Sequence, residues 1–521
     1  MYPQRLKAGI PRWSGRVSPG RVIAGSAGLA ASAAVAGLVA GTGYGLCVLL
    51  AVFLLVVVGL GVASWRRSLE WMLYYLPFSG LLPLALYPSQ GAGTELKDIA
   101  FVGPAYVGAL LLLLRRRERL AVPRAPVLLL GAMACLVFVQ AVNPALAKPL
   151  VGAIGVKVWL FYIPLIALGY HMYTEKRDLA RLLKWMTILA TIPCALGLVE
   201  AALVYGGRSA FVYHLYGAAA AATTEQFTTF QFGGASLTRI SSIFTFTAQY
   251  WFFSTAAIAI AWAAWRGNRN DPTMRWLGPT AIAIATFASL TSGLRAAFIF
   301  TPLLLSLIAA FDGFDLRRLI SGAAASAFAI IVVLYLLGIP FSPLANLTSG
   351  HASFILGFFG QGIRFGVHHA LLGLGTGSDT AQARYAFSTV NYGTTFASLG
   401  GVWYESWYLK AFIELGVSGF VVFVCLCAAL VRRSLQAHRA IVDVEARSMS
   451  AAVLALLVWT LLFSVKTALV DEDPLDVYLW LSIGLEWRLG DAALAATQAT
   501  AFSRRENAHS RAGDSVLART P

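Results

Sequence analysis

The sequence predicts an all-α polytopic membrane protein with about 14 transmembrane helices. Three observations carry this. First, 58% of the 521 residues are hydrophobic and only 12% are charged, where a soluble domain carries about 25%. Second, apolar runs near the roughly 20 residues needed to cross a bilayer recur along nearly the whole chain. Third, basic residues gather in alternate short loops between those runs, the positive-inside pattern that sets orientation. Backbone groups in lipid must be satisfied within the segment, so long Ala/Leu/Val-rich runs are helices and not barrel strands.

The elements follow in order. Residues 1–21 hold Arg5, Lys7, Arg12, Arg16 and Arg21 and no acid, and are expected in the cytoplasm. The basic run leads into a long apolar segment that reads as a first span, not a cleaved signal. The polytopic domain is expected over 22–490. Spans one and two cover about 22–41 and 44–64, and span three about 69–88, ahead of the small outer loop PSQGAGTELKD. Spans four to seven cover about 99–114, 126–142, 156–173 and 185–205. Arg115–Arg117 and Lys176–Lys184 mark the inner side between them. A periplasmic loop at about 206–239 precedes span eight, about 240–265.

Spans nine, ten and eleven cover about 277–292, 296–311 and 319–339. A large periplasmic loop, about 340–404, leads to spans twelve, thirteen and fourteen at about 406–430, 450–469 and 475–489. The polar tail, 491–521, is expected to be disordered and cytoplasmic.

Composition also excludes function classes. The net charge of +16 does not indicate nucleic acid, because the basic residues lie in loops between spans. The five cysteines lie in or beside apolar segments without metal-ligand spacing and read as small hydrophobes. No nucleotide-binding loop, HExxH motif or Cys/His cluster is present, so neither a metal nor a cofactor is expected.

The predicted topology brings three ionisable residues to the outer face. Arg239 opens span eight in TRISSIFTFTAQY, Arg295 sits in the tight turn LTSGLRAAF, and Glu405 opens span twelve. A charge near the apolar zone is costly, and is usually functional when it faces the bundle interior. Otherwise it is an anchor snorkelling to headgroups. Guanidinium groups bind phosphate bidentately and keep their charge in dry surroundings. A carboxylate can take the proton of an attacking hydroxyl. Two arginines and a carboxylate therefore suit transfer from a membrane-held diphosphate donor to a hydroxyl. A transporter of an anionic substrate would use the same residue types.

Within the large loop, FILGFFGQGIRFGVHHALLGLG reads as an amphipathic or re-entrant interfacial helix. Arg364 and His368 are four apart and would share a face, and Arg384 follows in AQARYAF. Tyr385, Trp403, Tyr404 and Trp407 are among the aromatics on this side; they suit sugar rings and equally an interfacial belt. Lys410 and Glu414, at helical spacing, read as a simple pair, and Glu200 as a group near the outer end of span seven.

The stretch Glu405–Gly419, ESWYLKAFIELGVSG, resembles a motif of the O-antigen ligase and polymerase (Wzy-type) superfamily. In the ligases that motif starts with His, then Asn, Ser or Gln, then nine residues, Gly, two residues, and Gly, Thr or Tyr. Here Ser406, Gly416 and Gly419 match, while Glu405 stands where the ligases have His, similar to polymerase-like members. Arg239 resembles the family's Arg at the head of a span after a periplasmic loop, and TSGLRA with Arg295 a loosened SxSRG turn. LLGLGTG, residues 371–377, resembles a glycine-rich segment of the large loop.

The resemblance covers about residues 200–430. It implies a GT-C-like helical fold in the bacterial inner membrane and a donor of undecaprenyl-diphosphate-linked oligosaccharide. It also implies polymerisation of exopolysaccharide, capsule or O-antigen, with a chain-length regulator as a further partner. In that setting Arg239 and Arg295 would hold the diphosphate and Glu405 would be the general base. Arg364, Arg384 and His368 would be substrate contacts. Two alternatives remain: a ligase attaching polymer to lipid A core or protein, and a transporter or flippase of lipid-linked sugars.

Overall fold

The computed structural model describes residues 44–86, 90–116, 124–146, 148–173, 175–217, 229–232, 235–294, 296–313, 317, 321, 324, 328, 332, 344–380, 383, 406–467 and 472–517. They are overwhelmingly helical, with one short antiparallel hairpin. Five helical stretches among them are long and apolar enough to cross a membrane: Gly93–Arg115, Pro149–Met172, Lys176–Tyr205, Trp407–Ala440 and Val444–Phe463. The protein is therefore a helical membrane protein. The chain divides into two compact units.

The smaller unit comprises the chain up to Met72 together with Glu95–Arg119. Helix α1 (Tyr44–Ala63) is wholly uncharged and continues, after Ser64, into α2 (Trp65–Tyr75). The Ser68 hydroxyl donates to Phe101 O at 3.0 Å, inside a π-helical turn at Asp98–Val102. Lys97 and Asp98 form a buried ion pair of 3.3 Å beside that turn. The loop expected around PSQGAGTELKD is in part helical.

The larger unit holds the rest. Pro77 and Pro83 break the expected span three: a 3-10 turn (Leu76–Phe78) and the short α3 (Leu81–Ala85) follow α2. Helix α4 (Gln90–Lys97) runs back into the smaller unit, where α5 (Gly103–Arg116) follows. Then come α6 (Arg124–Ala141), α7 (Pro149–Leu160) and α8 (Leu165–Met172). Span six is thus split at a turn ending on Pro164.

Helix α9 (Lys176–Tyr205) is longer than expected and carries Pro193 in its interior. The loop after it contains helical residues 209–217 and the hairpin of β1 (Thr229–Phe232) and β2 (Ala235–Thr238), with Thr229 opposite Thr238. Helices α10 (Thr247–Gly267), α11 (Pro272–Thr291) and α12 (Ala297–Asp312) follow. Residues 239–246 are not helical, so span eight starts later than expected.

Next are α13 (Leu344–His369), α14 (Trp407–Ala440), α15 (Val444–Phe463) and α16 (Leu475–Leu517). Span one and most of span eleven lie outside the described residues. The tail expected to be disordered continues α16 as helix to Leu517. Its run DAALAATQATAFSRRENAH has high helix propensity and no Gly or Pro to stop it.

In lipid the hydrophobic effect does not hold helices together; packing and interhelical hydrogen bonds, typically about 0.6–2 kcal/mol each, do. The junction of α10, α11, α12 and α15 shows both. Ser289 and Thr301 hydroxyls lie 2.6 Å apart, and Trp459 Nε1 donates to Phe300 O at 2.6 Å. Rings of Trp251, Phe300 and Trp459 pack around Phe463, with centroids at 4.9, 4.6 and 5.5 Å. At one end of this bundle ionic contacts tie the helix termini: Lys184–Asp271 at 2.6 Å and Arg266–Asp312 at 3.0 Å. The opposite end gathers the last turn of α9, the segment before α10 and the α11–α12 turn.

Candidate functional site

Two polar assemblies occupy the regions singled out by the sequence. The first is built around Arg239, which follows β2 directly. Tyr205, at the end of α9, donates its hydroxyl to Thr238 O at 2.8 Å. Ile240 N–H donates to Ser292 O at 3.0 Å, strapping the Arg239 segment to the turn between α11 and α12. Gly293 in that turn has φ +82°, and a Cβ there would lie 3.0 Å from Arg239 Cα. Glycine is needed for both reasons: the left-handed backbone and the close approach. Arg239 is half-buried, with its Nε inside the protein.

Beneath the strap sits Glu200, 9% exposed, facing the backbone N–H groups of Ser241 and Ser242. Ser242, at φ +51°, donates its hydroxyl to Pro193 O at 2.8 Å. The Tyr216 phenol is pushed up to about 12 by burial, with the Glu200 charge adding to it. Glu200 therefore is buried against the segment that follows Arg239, where its chain position alone gave it no special role. The signal that could have found it is a lone acid in an otherwise apolar outer half of a span.

The second assembly joins the glycine-rich segment to α14. Helix α14 is broken at Gly416, whose φ 75° and ψ −172° are not helical. The broken backbone is completed by residues 371–375. Val417 N–H donates to Leu371 O at 3.1 Å, Leu374 N–H to Ile413 O at 2.9 Å and Gly375 N–H to Glu414 O at 3.1 Å. The same segment is tied to α6: Gln140 Nε2 donates to Leu372 O at 2.6 Å and Thr376 N–H to Gln140 O at 3.2 Å. Non-helical backbone at membrane depth is tolerated where protein satisfies it, as here. The two stretches that carry the family resemblance, 371–377 and 405–419, are thus docked on each other in their described parts.

Glu414 closes this assembly. Its Oε2 accepts from Trp159 Nε1 at 2.7 Å, and its Oε1 accepts from Asp379 N–H at 2.9 Å and Thr380 Oγ1 at 2.8 Å. Three donors thus converge on a carboxyl group with no exposure. Lys410, also fully buried, places Nζ over the Trp159 ring at 5.6 Å. The simple Lys410–Glu414 pair expected from spacing is therefore corrected: Trp159 stands as an intermediary, giving its N–H to the acid and its face to the cation.

The remaining expected site residues fall as follows. Arg364 and His368 are both exposed on α13. Phe358, Phe359 and Phe365 of the same helix pack on a buried cluster of Ala370, Leu374, Leu409 and Ile413. Ile363 and Val367 are exposed beside Arg364 and His368, so the exposed side of α13 is mixed and not purely polar. Ser406 caps α14, accepting from Leu409 N–H, and its hydroxyl donates to Ser464 O at 3.2 Å. Glu405, Arg295 and Arg384 lie outside the described residues. Among the described residues no group of three or more His, Cys, Asp or Glu side chains is arranged to hold a metal.

No protein-family model matches the chain, and no curated protein matches it.

Proposed function

We propose that this protein is a bacterial membrane glycosyltransferase that polymerises a polyprenyl-diphosphate-linked glycan. About 14 spans would form a GT-C-like fold in the inner membrane with the active face in the periplasm. The observation that supports this most is the hydrogen bond from Ile240 N–H to Ser292 O. It straps Arg239 to the turn whose sequence reaches Arg295 three residues later. Two guanidinium groups on neighbouring segments suit a diphosphate, and no metal is required if they neutralise the leaving group.

In this reading the acceptor hydroxyl of an incoming lipid-linked repeat unit attacks the anomeric carbon of the growing chain. The new C–O bond forms as the bond to the diphosphate oxygen breaks. Glu405 takes the hydroxyl proton, and the electron pair leaves on the diphosphate held by Arg239 and Arg295. A single displacement inverts the anomeric centre. Arg364, Arg384 and His368 contribute substrate contacts, and a chain-length regulator is the protein partner.

The test is a deletion strain complemented with wild type, Glu405→Gln or Arg295→Ala, with undecaprenyl-linked glycans sized by mass spectrometry. Single repeat units accumulating in the deletion and both variants is the expected result. Long lipid-linked polymer that never reaches its final acceptor indicates ligase chemistry instead. Unchanged polymer length and yield in both variants overturns the site.

One observation favours a second reading, a transporter or flippase of lipid-linked sugars. Transporter sites are commonly built at discontinuous helices, and α14 is broken at Gly416 beside the buried Lys410 and Glu414. That reading predicts polymer-competent membranes whose repeat units stay on the cytoplasmic leaflet in the deletion strain.

A further inference from the structure

A third polar cluster lies away from both assemblies, where the last turns of α12 and α14 meet α15 and α16. His438 is 5% exposed and Glu486 is 1% exposed. His438 Nε2 lies 3.1 Å from Phe311 O, and its Nδ1 lies 3.1 Å from Ser450 Oγ. Ser450 Oγ in turn lies 2.8 Å from Glu486 Oε1. On the far side Ser434, which accepts from Trp487 Nε1 at 3.0 Å, faces the same carboxyl.

The donors and acceptors in this row can be counted. Phe311 O only accepts, so Nε2 carries a hydrogen. Ser450 has one hydrogen to give and two neighbours, Nδ1 and Oε1. If it gives that hydrogen to Glu486, then Nδ1 must donate to Ser450, and the ring is imidazolium opposite a carboxylate. If it gives the hydrogen to Nδ1, then Glu486 must be the acid and donate to Ser450, and the ring is neutral. Both arrangements hold one proton beyond a neutral ring and a carboxylate. Without that proton one of the two contacts of Ser450, at 3.1 or 2.8 Å, has no hydrogen in it and sets two lone pairs against each other.

We infer that His438, Ser450 and Glu486 form a buried one-proton site, in which the proton rests on His438 or Glu486 and passes between them through Ser450. In the passage the Nδ1–H bond breaks as Ser450 Oγ gains that hydrogen. The Ser450 O–H bond breaks as Glu486 Oε1 gains its own, so no charge enters or leaves the cluster. The charged groups around it are Arg433 and Arg439 on α14, Arg447 on α15, Asp312 on α12 and Asp491 on α16. Asp312 is engaged by Arg266, and Asp491 by Arg433. The inference stands independently of the glycan reading, because it uses none of the residues assigned there.

The experiment uses the full chain in detergent, with ¹⁵N-labelled histidine, and the His438 signal is identified by its loss in His438→Gln. Infrared spectra report the protonated carboxyl of Glu486 as a band lost in Glu486→Gln. At neutral pH the wild type is expected to show either imidazolium without the acid band or a neutral ring with it. In Glu486→Gln the amide donates to Ser450 and Ser450 donates to Nδ1, so the ring is expected to be neutral at neutral pH, with its hydrogen on Nε2. A neutral ring without the acid band, imidazolium together with the acid band, or an imidazolium that persists at neutral pH in Glu486→Gln each overturns the proposal. If Glu486→Gln does not fold, Ser450→Ala serves: independent titration of the two groups is expected, and a titration still locked in opposition overturns it.

Discussion

Glu414 and Trp159 stand 255 residues apart in the chain and share a buried hydrogen bond of 2.7 Å. The same indole ring takes Lys410 on its face, so one side chain engages both the buried lysine and the buried acid of α14. Removing the acid alone exposes the cost of that arrangement. Glu414→Ala leaves the Trp159, Asp379 and Thr380 donors without their acceptor. At about 1–3 kcal/mol per unsatisfied group, the loss should reach at least about 3 kcal/mol. Glu414→Gln keeps an acceptor and should cost clearly less. Thermal unfolding of the purified protein in detergent ranks the two, and equal midpoints would show that the network contributes little.

Glycine substitutions should split by position. Gly416 has φ 75°, and a Cβ there would meet Leu371 O at 2.7 Å. Gly416→Ala should therefore destabilise by about 1–3 kcal/mol. Gly357, in α13, has nothing within 4 Å of its Cβ position. Gly357→Ala should stabilise by about 0.4–1 kcal/mol through reduced freedom of the unfolded chain. Opposite shifts of the unfolding midpoint are the expected outcome; a loss at both positions would count against the geometry of α13.

Gly293→Ala should act at a distance on Arg239. Its Cβ would press on Arg239 Cα, 3.0 Å away, and its φ of +82° disfavours any side chain. Glycan profiles of Gly293→Ala and Arg239→Ala strains should match in the direction of the defect. Tyr205→Phe removes one hydrogen bond to Thr238 O, worth about 1 kcal/mol, and should leave the profile nearly intact.

Asp271 does two separable things. It caps α11 by accepting from Thr273 N–H at 2.8 Å, and it pairs with Lys184 at 2.6 Å. The hydrogen bond from Lys184 is the main reason its carboxyl is held below the ordinary carboxylate range. A lowered value means the pair contributes at neutral pH and is lost as pH falls below about 4. Asp271→Asn keeps a good cap and should cost at most about 1 kcal/mol, less at high salt. Asp271→Ala should cost about 1 kcal/mol more. Unfolding midpoints at neutral and acid pH separate the two contributions, and identical losses for Asn and Ala would mean the cap is idle.

The membrane class was legible because lipid allows few solutions: a long apolar run has to be helical. What could not be read is where the helices stop being regular. Span six reads as one run, yet the chain turns at Phe161–Pro164. Residues 240–246 read as the apolar opening of span eight, yet they are held non-helical by hydrogen bonds to Ser292 and Pro193. The second outcome depends on partners about 50 residues away. The site was legible in residue type at Arg239 but not at Glu200, whose meaning depends on the backbone N–H groups of Ser241 and Ser242 that it faces. The Lys410–Glu414 spacing suggested a direct pair because Trp159, far off in sequence, is invisible to local reading.

The break in α14 bears on how the chain is made. Each residue that completes it comes earlier in the sequence: Gln140 and Trp159, then Leu371, Leu374, Asp379 and Thr380. Chains are synthesised from the N-terminus. By the time Gly416 leaves the ribosome, every group needed to shield its exposed backbone has already been translated. The break itself can therefore be completed without waiting for any downstream segment.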